Sequence, residues 1–306
     1  MSGGSGADLA PLEIEGAVAV VTGGANGIGR GIVRGLLERG ATVVIADIEE
    51  PVLEATVAEL GAEFGVGVVS GMQTDVSDEY SVEALADHVF ATFGRCNVLF
   101  NNAGVGSGGG GKAWTNEPND WKWCFGVNVF GSAHGVISFV PRMIESGQPG
   151  HVVNTSSGDG GFAPVPMASV YASSKAAVSI LTECLAAQLA ASDSKLAASL
   201  FYPAGGLLDT GIWTCDRNRP DELARETPVE GEPQTFEKFA KLAKEAGFDL
   251  PIQPLDQLAA HLLDGIREEK PIIMIGLEGA VETLRGRAER VAKGQLPIEP
   301  SRGLMN

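Results

Sequence analysis

Tyr171 and Lys175 are the pair of residues whose types and spacing could move a proton. They lie four positions apart in a run of small and apolar residues, 170–178, so in a helix they would share one face. A free tyrosine has a pKa of about 10 and is a poor base at neutral pH, but a nearby ammonium favours the phenolate and lowers that pKa. The spacing therefore predicts a proton donor and acceptor, although ordinary surface pairs on amphipathic helices share it.

A pair of serines follows an apolar run upstream of this tyrosine. Ser156 and Ser157 come directly after Val152–Thr155, which is predicted to be a buried strand. The carboxyl ends of strands face the ligand crevice of an open α/β sheet, so a hydroxyl there could hydrogen-bond a substrate oxygen; a polar turn is the alternative. The histidines show no pairing with a nucleophile, and no G-x-S-x-G elbow is present, which disfavours a serine hydrolase.

A glycine-rich turn near the N-terminus is the second chemical signal. The apolar run Ala17–Val21 predicts a buried parallel strand, and a helix is predicted at Ile28–Arg39. Gly23, Gly27 and Gly29 let the backbone turn tightly between them, so that a pyrophosphate could approach the N–H groups of the helix. Strand, turn and helix together indicate dinucleotide binding, and an ordinary glycine-rich turn is the alternative for this motif taken alone.

Acidic residues end the next two strands. Asp47 follows Thr42–Ala46 and lies 18 positions after Gly29. An acid at this position accepts hydrogen bonds from ribose hydroxyls and repels a 2′-phosphate, so it predicts NAD rather than NADP. Asp75 ends the third strand and could meet the adenine amino group, with Val76 near the ring. A cap on the following helix is an equally good interpretation of Asp75.

Strands and helices alternate along the chain, which predicts an α/β protein with a doubly wound parallel sheet of about seven strands and helices on both faces. The predicted strands are Ala17–Val21, Thr42–Ala46, Val66–Val69, Asn97–Phe100, Val152–Thr155, Leu196–Phe201 and Ile272–Ile275. The predicted helices are Ile28–Arg39, Pro51–Leu60, 78–93, 119–145 with a kink or break at Pro141, Val170–Ala191, 235–246, Leu255–Glu268 and Glu278–Lys293. Residues 1–10 are expected to be a disordered tail, and 11–306 a single domain with an irregular segment at 203–251.

The composition bounds the classes of function. The 306 residues carry a net charge of −17, which argues against binding nucleic acid or an anionic membrane. The four cysteines lie far apart without a CxxC pair, so we expect reduced thiols and no metal site. No secretory signal is visible at the N-terminus, and no apolar run approaches about 18 residues. We therefore expect a cytoplasmic protein without a transmembrane helix.

Six motifs in order give the chain its resemblance to a known family. They are Thr22–Gly29 (TGGANGIG), Asp75-Val76, Asn101–Gly104 (NNAG), Val127-Asn128, Ser156-Ser157 and Tyr171–Lys175 (YASSK). In this order they resemble the short-chain dehydrogenase/reductase family, in its compact single-domain branch with a Rossmann-type sheet. The resemblance covers about residues 14–275 and implies an oxidoreductase that interconverts a secondary alcohol and a ketone.

The resemblance also implies a role for each motif. Tyr171 is the general acid/base, and Lys175 lowers its pKa and holds the nicotinamide ribose. Ser157 orients the substrate oxygen, and Asn128 supports a water-linked proton relay to Lys175. NAD is the implied cofactor. Its implied binding residues are Gly23, Asn26, Gly27, Ile28, Gly29, Asp47, Asp75, Val76, Asn102, Ala103, Gly104, Tyr171, Lys175, Pro203 and Thr210.

Two departures from the family pattern concern the loops around the site. The interval from Ser157 to Tyr171 is one residue longer than usual, with the extra residue expected at Gly160-Gly161. Which of Ser156 and Ser157 is the catalytic serine is therefore open. The stretch Pro203–Thr210 is also longer than the usual Pro-Gly turn, so Thr210 is the expected contact for the nicotinamide amide in an unusual loop.

The substrate is indicated only by residue class. Apolar residues in and near the segment 203–251 suit a bulky hydrophobic alcohol or ketone, such as a steroid, terpenoid or aryl compound, but they could equally fill a core or an oligomer contact. They are Trp114, Ile212, Trp213, Phe236, Phe239 and Phe248. A non-catalytic NAD(H)-binding regulator and an epimerase or lyase on the same fold are the alternatives. A homodimer or homotetramer is expected, through helices at about 115–145 and 170–191.

Overall fold

The strands of this protein form one parallel sheet in a computed structural model that describes residues 12–107, 111–227, 235–245 and 250–298. The strands are Val18–Thr22 (β1), Thr42–Asp47 (β2), Val69–Gln73 (β3), Val98–Asn101 (β4), Gly150–Thr155 (β5), Leu196–Tyr202 (β6) and Ile272–Met274 (β7). The expected tail 1–10, residues 108–110 of the glycine-rich loop, and Phe248 lie outside the described residues.

The strand order is β3-β2-β1-β4-β5-β6-β7, and every neighbouring pair is parallel. The chain moves outward in one direction from β1 to β3 and then crosses back to β4, so the order reverses between β1 and β4. Open α/β sheets bind ligands outside the carboxyl ends of the strands at such a reversal. The predicted doubly wound α/β architecture is confirmed.

Helices cover both faces of the sheet. The α-helices are Gly27–Glu38 (α1), Glu50–Phe64 (α2), Glu79–Phe93 (α3), Pro118–Phe125 (α4), Gly131–Glu145 (α5), Gly158–Gly161 (α6), Ser169–Ala190 (α7), Phe236–Glu245 (α8), Leu255–Arg267 (α9) and Leu277–Ala292 (α10). On one face, Ile32 and Leu36 of α1 pack with Leu262 of α9 over the sheet. On the other, Phe139 of α5 packs with Leu85 of α3. Burying each such side chain stabilises the fold by about 1.5–3 kcal/mol.

The third strand lies later in the sequence than predicted. The prediction placed it at Val66–Val69, but the strand is Val69–Gln73 and α2 continues to Phe64. Val66 is 99% exposed, between Gly65 and Gly67, which both have positive φ angles. β3 is an edge strand whose residues alternate in burial, so its sequence VSGMQ lacks the continuous apolar run that marks a central strand.

The predicted helix at 119–145 is interrupted, but not at Pro141. A π-helical turn, Gly126–Phe130, joins α4 to α5, whereas α5 continues through Pro141. By length and apolar composition alone, Pro118–Glu145 could cross a membrane. Its most apolar window is half buried within the fold, and Asn128 in its middle is 1% exposed. This stretch is therefore interpreted as a helical segment that packs against one face of the sheet.

The segment after β6 is anchored to α4 by a buried ion-pair cluster. It contains the 3-10 segments Gly211–Asn218 and Asp221–Leu223. Asp120 of α4 is fully buried, and its carboxylate lies 2.9 Å from Arg219 and 2.6 Å from Arg225. The same carboxylate accepts the backbone N–H of Glu117 at 2.8 Å, as a helix-capping interaction. These contacts hold the segment over the carboxyl ends of the strands.

Candidate active site

A cleft of about 660 Å³ runs along the carboxyl ends of the strands. Nearly all the residues predicted for catalysis and cofactor binding line it. They are Gly23, Asn26, Gly27, Ile28, Gly29, Asp47, Asp75, Val76, Asn102, Ala103, Gly104, Ser157, Tyr171, Lys175, Pro203 and Thr210. Asn128 is the exception, because it lies buried behind the wall of the cleft. A volume of this size is typical of small-molecule sites.

The glycine turn is packed so closely that a side chain at Gly23 or Gly29 would clash with neighbouring backbone atoms. Gly23 has a φ of +61°, and a Cβ there would lie 2.9 Å from the Cα of Ala103. A Cβ on Gly29 would lie 2.0 Å from the carbonyl oxygen of Gly23. Asn26 caps α1, its side chain accepting the N–H of Gly27 at 2.7 Å. The remaining N–H groups of the first turn point toward the cleft end of the helix, where an anion is stabilised.

Thr22 and Asn102 tie this turn to the end of β4. The Thr22 hydroxyl accepts the backbone N–H groups of Asn102 and Ala103 at 3.0 and 3.1 Å. The Asn102 side-chain amide donates to the carbonyl oxygens of Thr22 and Gly23 at 3.1 and 3.4 Å. The NNAG motif therefore fixes the shape of the glycine turn and presents Gly104 to the cleft.

Asp47 is held at the end of β2 with both carboxylate oxygens in use. One oxygen accepts the N–H of Ala25 at 3.0 Å and the other accepts the N–H of Glu49 at 3.1 Å. The residue is 8% exposed, and burial raises the pKa of its carboxyl. Each carboxylate oxygen has lone pairs beyond one bond, so Asp47 can still accept from ribose hydroxyls.

Asp75 makes a local turn rather than the helix cap. Its Oδ1 accepts the backbone N–H and the hydroxyl of Ser77, at 2.9 and 2.7 Å. The N-cap of α3 is Asp78, whose side chain accepts the N–H of Tyr80. Asp75 and Val76 both line the cleft, on the side where the adenine was predicted.

The Tyr171–Lys175 pair lies on one face of α7, as predicted from the spacing. The Lys175 ammonium is 5.9 Å from the centre of the Tyr171 ring, and it donates to the carbonyl oxygen of Thr155 at 2.9 Å. Burial lowers the pKa of Lys175 to about 8. The predicted lowering of the Tyr171 pKa is wrong for this structure: burial raises it, and a hydrogen bond with Ser157 only partly opposes that effect.

The two serines after β5 point in different directions. Both serines line the cleft, and Ser157 shares a hydrogen bond with the Tyr171 side chain. Ser156 is 2% exposed, and its hydroxyl donates to the carbonyl oxygen of Lys175 at 2.8 Å and contacts the Ser179 hydroxyl at 2.8 Å. The geometry therefore favours Ser157 over Ser156 for a substrate contact.

Asn128 lies in the π-helical turn and is hydrogen-bonded to the backbone of the loop after β4. Its Oδ1 accepts the N–H of Val105 at 2.8 Å, and its Nδ2 donates to the Val105 carbonyl at 3.0 Å and to the Ser174 hydroxyl at 2.9 Å. A Cβ on Gly104 would lie 3.2 Å from Lys175 Nζ and 3.3 Å from Asn128 Oδ1. The asparagine thus positions the wall beside Lys175, and its relay role stays a prediction.

The unusual loop after β6 brings Thr210 to the glycine turn. A Cβ on Gly27 would lie 3.2 Å from the Cβ of Thr210, so this threonine sits beside the first turn of α1. Its contact with a nicotinamide amide stays a prediction. The adjacent Arg217 donates to Glu49 twice, at 3.1 and 2.5 Å, and thereby joins the 203–251 segment to the loop after β2.

Part of the cleft is lined by apolar and aromatic side chains. Ile212, Trp213 and Phe239 line it as predicted, and the rings of Trp213 and Phe239 stack at 4.5 Å. Phe236 is buried but does not line the cleft, and Trp114 is 78% exposed. Sequence reasoning missed Trp123, Asp159, Cys215 and Arg217, which also line the cleft. None of these four residues belongs to one of the six motifs, so the motif pattern carried no signal for them.

The residues present fit a nicotinamide dinucleotide. Close packing at Gly23 and Gly29 excludes side chains from the turn, and the N-terminus of α1 beside it suits a pyrophosphate. Asp47 lines the cleft after β2, where it can accept from ribose hydroxyls, and Tyr171 and Lys175 of α7 line the same cleft. Among the residues that the structure describes, no group of three or more metal-ligating side chains occurs.

The family's sequence model, described as short chain dehydrogenase, matches residues 17–213. A C alpha-dehydrogenase of Sphingobium sp. is 41% identical over 162 residues, covering 52% of this chain and 51% of that protein. The oxidoreductase EphD of Mycobacterium tuberculosis is 32% identical over 253 residues, covering 82% of this chain and 40% of that protein. The chain thus spans about half or less of the length of these curated relatives.

Solved structures extend the likeness to nearly the whole chain. A short-chain dehydrogenase/reductase from Burkholderia phymatum in complex with NAD has 35% identity and a TM-score of 0.84, covering 95% of this chain and 99% of its own. A metagenomic short-chain oxidoreductase in complex with NADP also has 35% identity, with a TM-score of 0.58, covering 63% of this chain and 84% of its own. This chain belongs to the short-chain dehydrogenase/reductase family.

Proposed function

We propose that this protein is an NAD-dependent dehydrogenase that interconverts a bulky secondary alcohol and its ketone. The observation that carries the proposal is the placement of Ser157, Tyr171 and Lys175 in the same cleft as the glycine turn. A dinucleotide lying from Asp47 to Lys175 would bring its reactive ring beside the Tyr171 hydroxyl. The oxidoreductase class follows from the family, and the alcohol substrate is our proposal.

The acids at the end of β2 support NAD rather than NADP. The carboxylate of Asp47 is fixed by two backbone N–H groups and would repel a 2′-phosphate. Glu49 adds a second carboxylate on the cleft wall, and its charge is paired with Arg217. Related structures have been solved with NAD and with NADP, so the preference of this chain rests on its own residues.

Ser157 and Tyr171 orient and deprotonate the substrate. Both hydroxyls face the cleft, so the carbinol oxygen is placed between them by two hydrogen bonds. Tyr171 accepts the hydroxyl proton during oxidation and returns it to the carbonyl oxygen during reduction. The bound cofactor supplies the hydride acceptor or donor and, in its oxidised form, a positive charge that favours the tyrosinate.

Lys175 and Asn128 hold the remaining parts of the site. The Lys175 ammonium is fixed by the Thr155 carbonyl and lies beside the Gly104 backbone, where it can reach a ribose hydroxyl. Asn128 keeps the loop at Val105 in place from behind. The described side chains therefore position both reactants and keep the proton-accepting group in the cleft wall.

The lining of the cleft supports a bulky substrate with an aryl or alicyclic group. Trp123, Ile212 and the stacked pair Trp213–Phe239 provide apolar and aromatic surface in the cleft that Tyr171 also lines. The name of the relative from Sphingobium, C alpha-dehydrogenase, supports a dehydrogenase reaction.

We also propose a homo-oligomer. Phe130, Ile137 and Ile144 are spaced seven residues apart along the helical stretch 126–145, and each is 45–67% exposed. Ile180 on α7 is 59% exposed. Apolar side chains at a seven-residue spacing form one stripe, and such a stripe suits contact with a second copy.

The test is absorbance of the reduced cofactor with NAD and then NADP, across a panel of bulky secondary alcohols. Tyr171→Phe removes only the hydroxyl that moves the proton, and Tyr80→Phe makes the same chemical change on an exposed residue. We expect NAD reduction in the wild type and in Tyr80→Phe, and its loss in Tyr171→Phe.

Each other outcome points to an alternative. Equal or better use of NADP would contradict the role given to Asp47. NADH binding without turnover of any alcohol would favour a non-catalytic regulator. Conversion of a substrate at bound cofactor with no net redox change would favour an epimerase or lyase.

A further inference from the structure

The interval between Ser157 and Tyr171, which is one residue longer than the family pattern, contains a short helical turn. This turn is α6, Gly158–Gly161, and it packs against α7. A Cβ on Gly160 would lie 2.3 Å from the backbone carbon of Lys175, and one on Gly161 would lie 2.6 Å from the Tyr202 ring. Gly160 therefore lets the turn lie close against α7, and Gly161 lets it lie close against Tyr202 of β6, which together fix the position of the residue before them.

That residue is Asp159, which lines the cleft close to the proposed reacting atoms. Its backbone N–H donates to the Ser157 hydroxyl at 3.3 Å. Its carboxylate lies close enough to Tyr171 for its charge to act on the phenol. The side chain is partly buried, and burial raises the pKa of the Asp159 carboxyl.

The carboxylate of Asp159 differs from the other acids of the cleft in having no donor. Asp47 accepts two backbone N–H groups, Asp75 accepts from Ser77, and Glu49 pairs with Arg217. Across residues 12–107, 111–227, 235–245 and 250–298, no side chain or backbone N–H bonds the Asp159 carboxylate. The acceptor positions of this carboxylate are therefore free for a hydrogen-bond donor that a ligand in the cleft carries.

The surroundings of Asp159 make a ligand contact selective. Val165, Ala168 and Trp123 are among the apolar residues that line the same cleft. In an apolar cleft, a hydrogen bond to a charged acceptor is stronger than the same bond in water. A substrate without a donor leaves the acceptor unpaired and is therefore disfavoured.

We propose that Asp159 is a specificity-determining residue that binds a hydrogen-bond donor carried by the substrate close to its carbinol carbon. The donor is a hydroxyl or an ammonium, so the favoured substrates are diols or amino alcohols with an aryl or alicyclic body. The inference rests on the proposed alcohol dehydrogenase function, because the carbinol oxygen must lie between Ser157 and Tyr171 for Asp159 to be in reach.

The experiment compares kcat/KM for three alcohols of matched skeleton: 1-phenylethanol, 1-phenylethane-1,2-diol and 2-amino-1-phenylethanol. In the wild type, we expect the two donor-bearing alcohols to be favoured by about 10- to 100-fold over the first. In Asp159→Ala that preference falls to about one. Asp159→Asn keeps an acceptor without the charge, so it distinguishes the two kinds of donor. We expect the preference for the amino alcohol to be lost and the preference for the diol to be partly kept.

Asp216→Asn is the matched control, since Asp216 is an exposed acid in the neighbouring segment and does not line the cleft. It should leave the preference unchanged. Equal kcat/KM for all three alcohols in the wild type, or an unchanged preference in Asp159→Ala, would overturn the inference.

A binding measurement keeps the inference distinct from the proposed function. Calorimetry with NADH present gives the dissociation constants of acetophenone, 2-hydroxyacetophenone and 2-aminoacetophenone for Tyr171→Phe, with and without Asp159→Ala. Weaker binding of only the donor-bearing ketones in the double variant supports the inference even if no alcohol is oxidised. Equal binding of all three ketones in both variants refutes it, whether or not the wild type reduces NAD.

Discussion

Tyr171 differs from the other two tyrosines in where its hydroxyl points. Tyr80 is exposed, and the hydroxyl of Tyr202 donates to Ser179 at 3.2 Å inside the core. The hydroxyl of Tyr171 faces the cleft, beside Ser157 and near the charge of Asp159. Its pKa is raised by burial, so the phenol holds its proton at neutral pH and can donate it to a ketone without further change.

This protonation state predicts opposite pH profiles for the two directions of reaction. The kcat/KM for alcohol oxidation needs the tyrosinate, so we expect it to rise about tenfold per pH unit between pH 6 and 8. Ketone reduction needs the phenol and should stay flat over that range. Steady-state rates in both directions measure this; an oxidation rate that falls as pH rises would contradict the role of Tyr171.

The adjacent serines provide an internal comparison. Ser157→Ala removes a hydroxyl from the cleft, and we expect kcat/KM to fall by about 10²- to 10³-fold with little change in stability. Ser156→Ala removes a buried hydroxyl that bonds the α7 backbone, so it should lower the free energy of unfolding by about 1–2 kcal/mol and leave kcat/KM within a few-fold.

Kinetic assays and urea unfolding of both serine variants separate the two effects. If Ser156→Ala lost activity while Ser157→Ala kept it, the register of the loop in the working enzyme would differ from the one described.

At the scale of elements, a half-exposed ion pair joins the 203–251 segment to the loop after β2. Arg217 of the 3-10 segment Gly211–Asn218 donates to Glu49 after β2, and Asn218 donates to the same carboxylate at 2.9 Å. Arg217 also donates to the carbonyl oxygens of Gly211 and Thr214, at 3.0 and 2.9 Å. The pair thus spans the cleft next to Asn26 and Thr210.

Loss of this ion pair should speed cofactor release. Half-exposed pairs contribute about 0.2–1 kcal/mol, so in Glu49→Gln we expect NADH to dissociate about two- to fivefold faster. Stopped-flow fluorescence of NADH measures the rate. Glu59→Gln breaks the Arg30–Glu59 pair on the outer surface and is the control, with no change expected. An unchanged rate in Glu49→Gln would show that the ion pair does not restrain the cofactor.

The elements differ in how far the sequence determines them. The central strands β1, β2, β4 and β5 were predicted almost to the residue, because their apolar runs reflect burial on both faces. The edge strand β3 was misplaced because only Val69 of its five residues is buried. The π-helical turn at Asn128 and the turn Gly158–Gly161 had no local signal. Each depends on packing against α7, from residues distant in sequence.

The site shows the same division between local and distant contributions. Motifs whose residues act through the backbone, such as Gly23 and Gly29, could be assigned from spacing because sterics alone require glycine. Asp159 and Arg217 could not, since their importance comes from what the fold places opposite them. The raised pKa of Tyr171 was missed for a related reason: the spacing gave the distance to Lys175 but not the burial of the hydroxyl.

At the scale of the whole molecule, a buried histidine links stability to pH. His151 on β5 is 2% exposed, its Nε2 lies 2.7 Å from the Ser199 hydroxyl, and burial lowers its pKa to about 4. In the unfolded chain a histidine has a pKa of about 6.5, so between these values the unfolded state binds more protons. Stability is therefore lost as the pH falls through this window.

We expect the free energy of unfolding to fall by about 2 kcal/mol between pH 7.5 and pH 5 through this group. Urea unfolding at the two pH values measures the fall. It should shrink in His151→Gln and persist in His88→Gln, which alters an exposed histidine. A fall of the same size in His151→Gln would assign the acid sensitivity to other groups.

The central claim is that hydride passes between a carbinol carbon and the cofactor held in this cleft. The most direct measurement uses a secondary alcohol carrying deuterium on its carbinol carbon and follows the label by NMR. We predict that the wild type places the deuterium on the nicotinamide ring, one atom per ketone formed, and that Tyr171→Phe does not. Deuterium retained in the substrate or lost to water, with the cofactor unlabelled, would contradict the account.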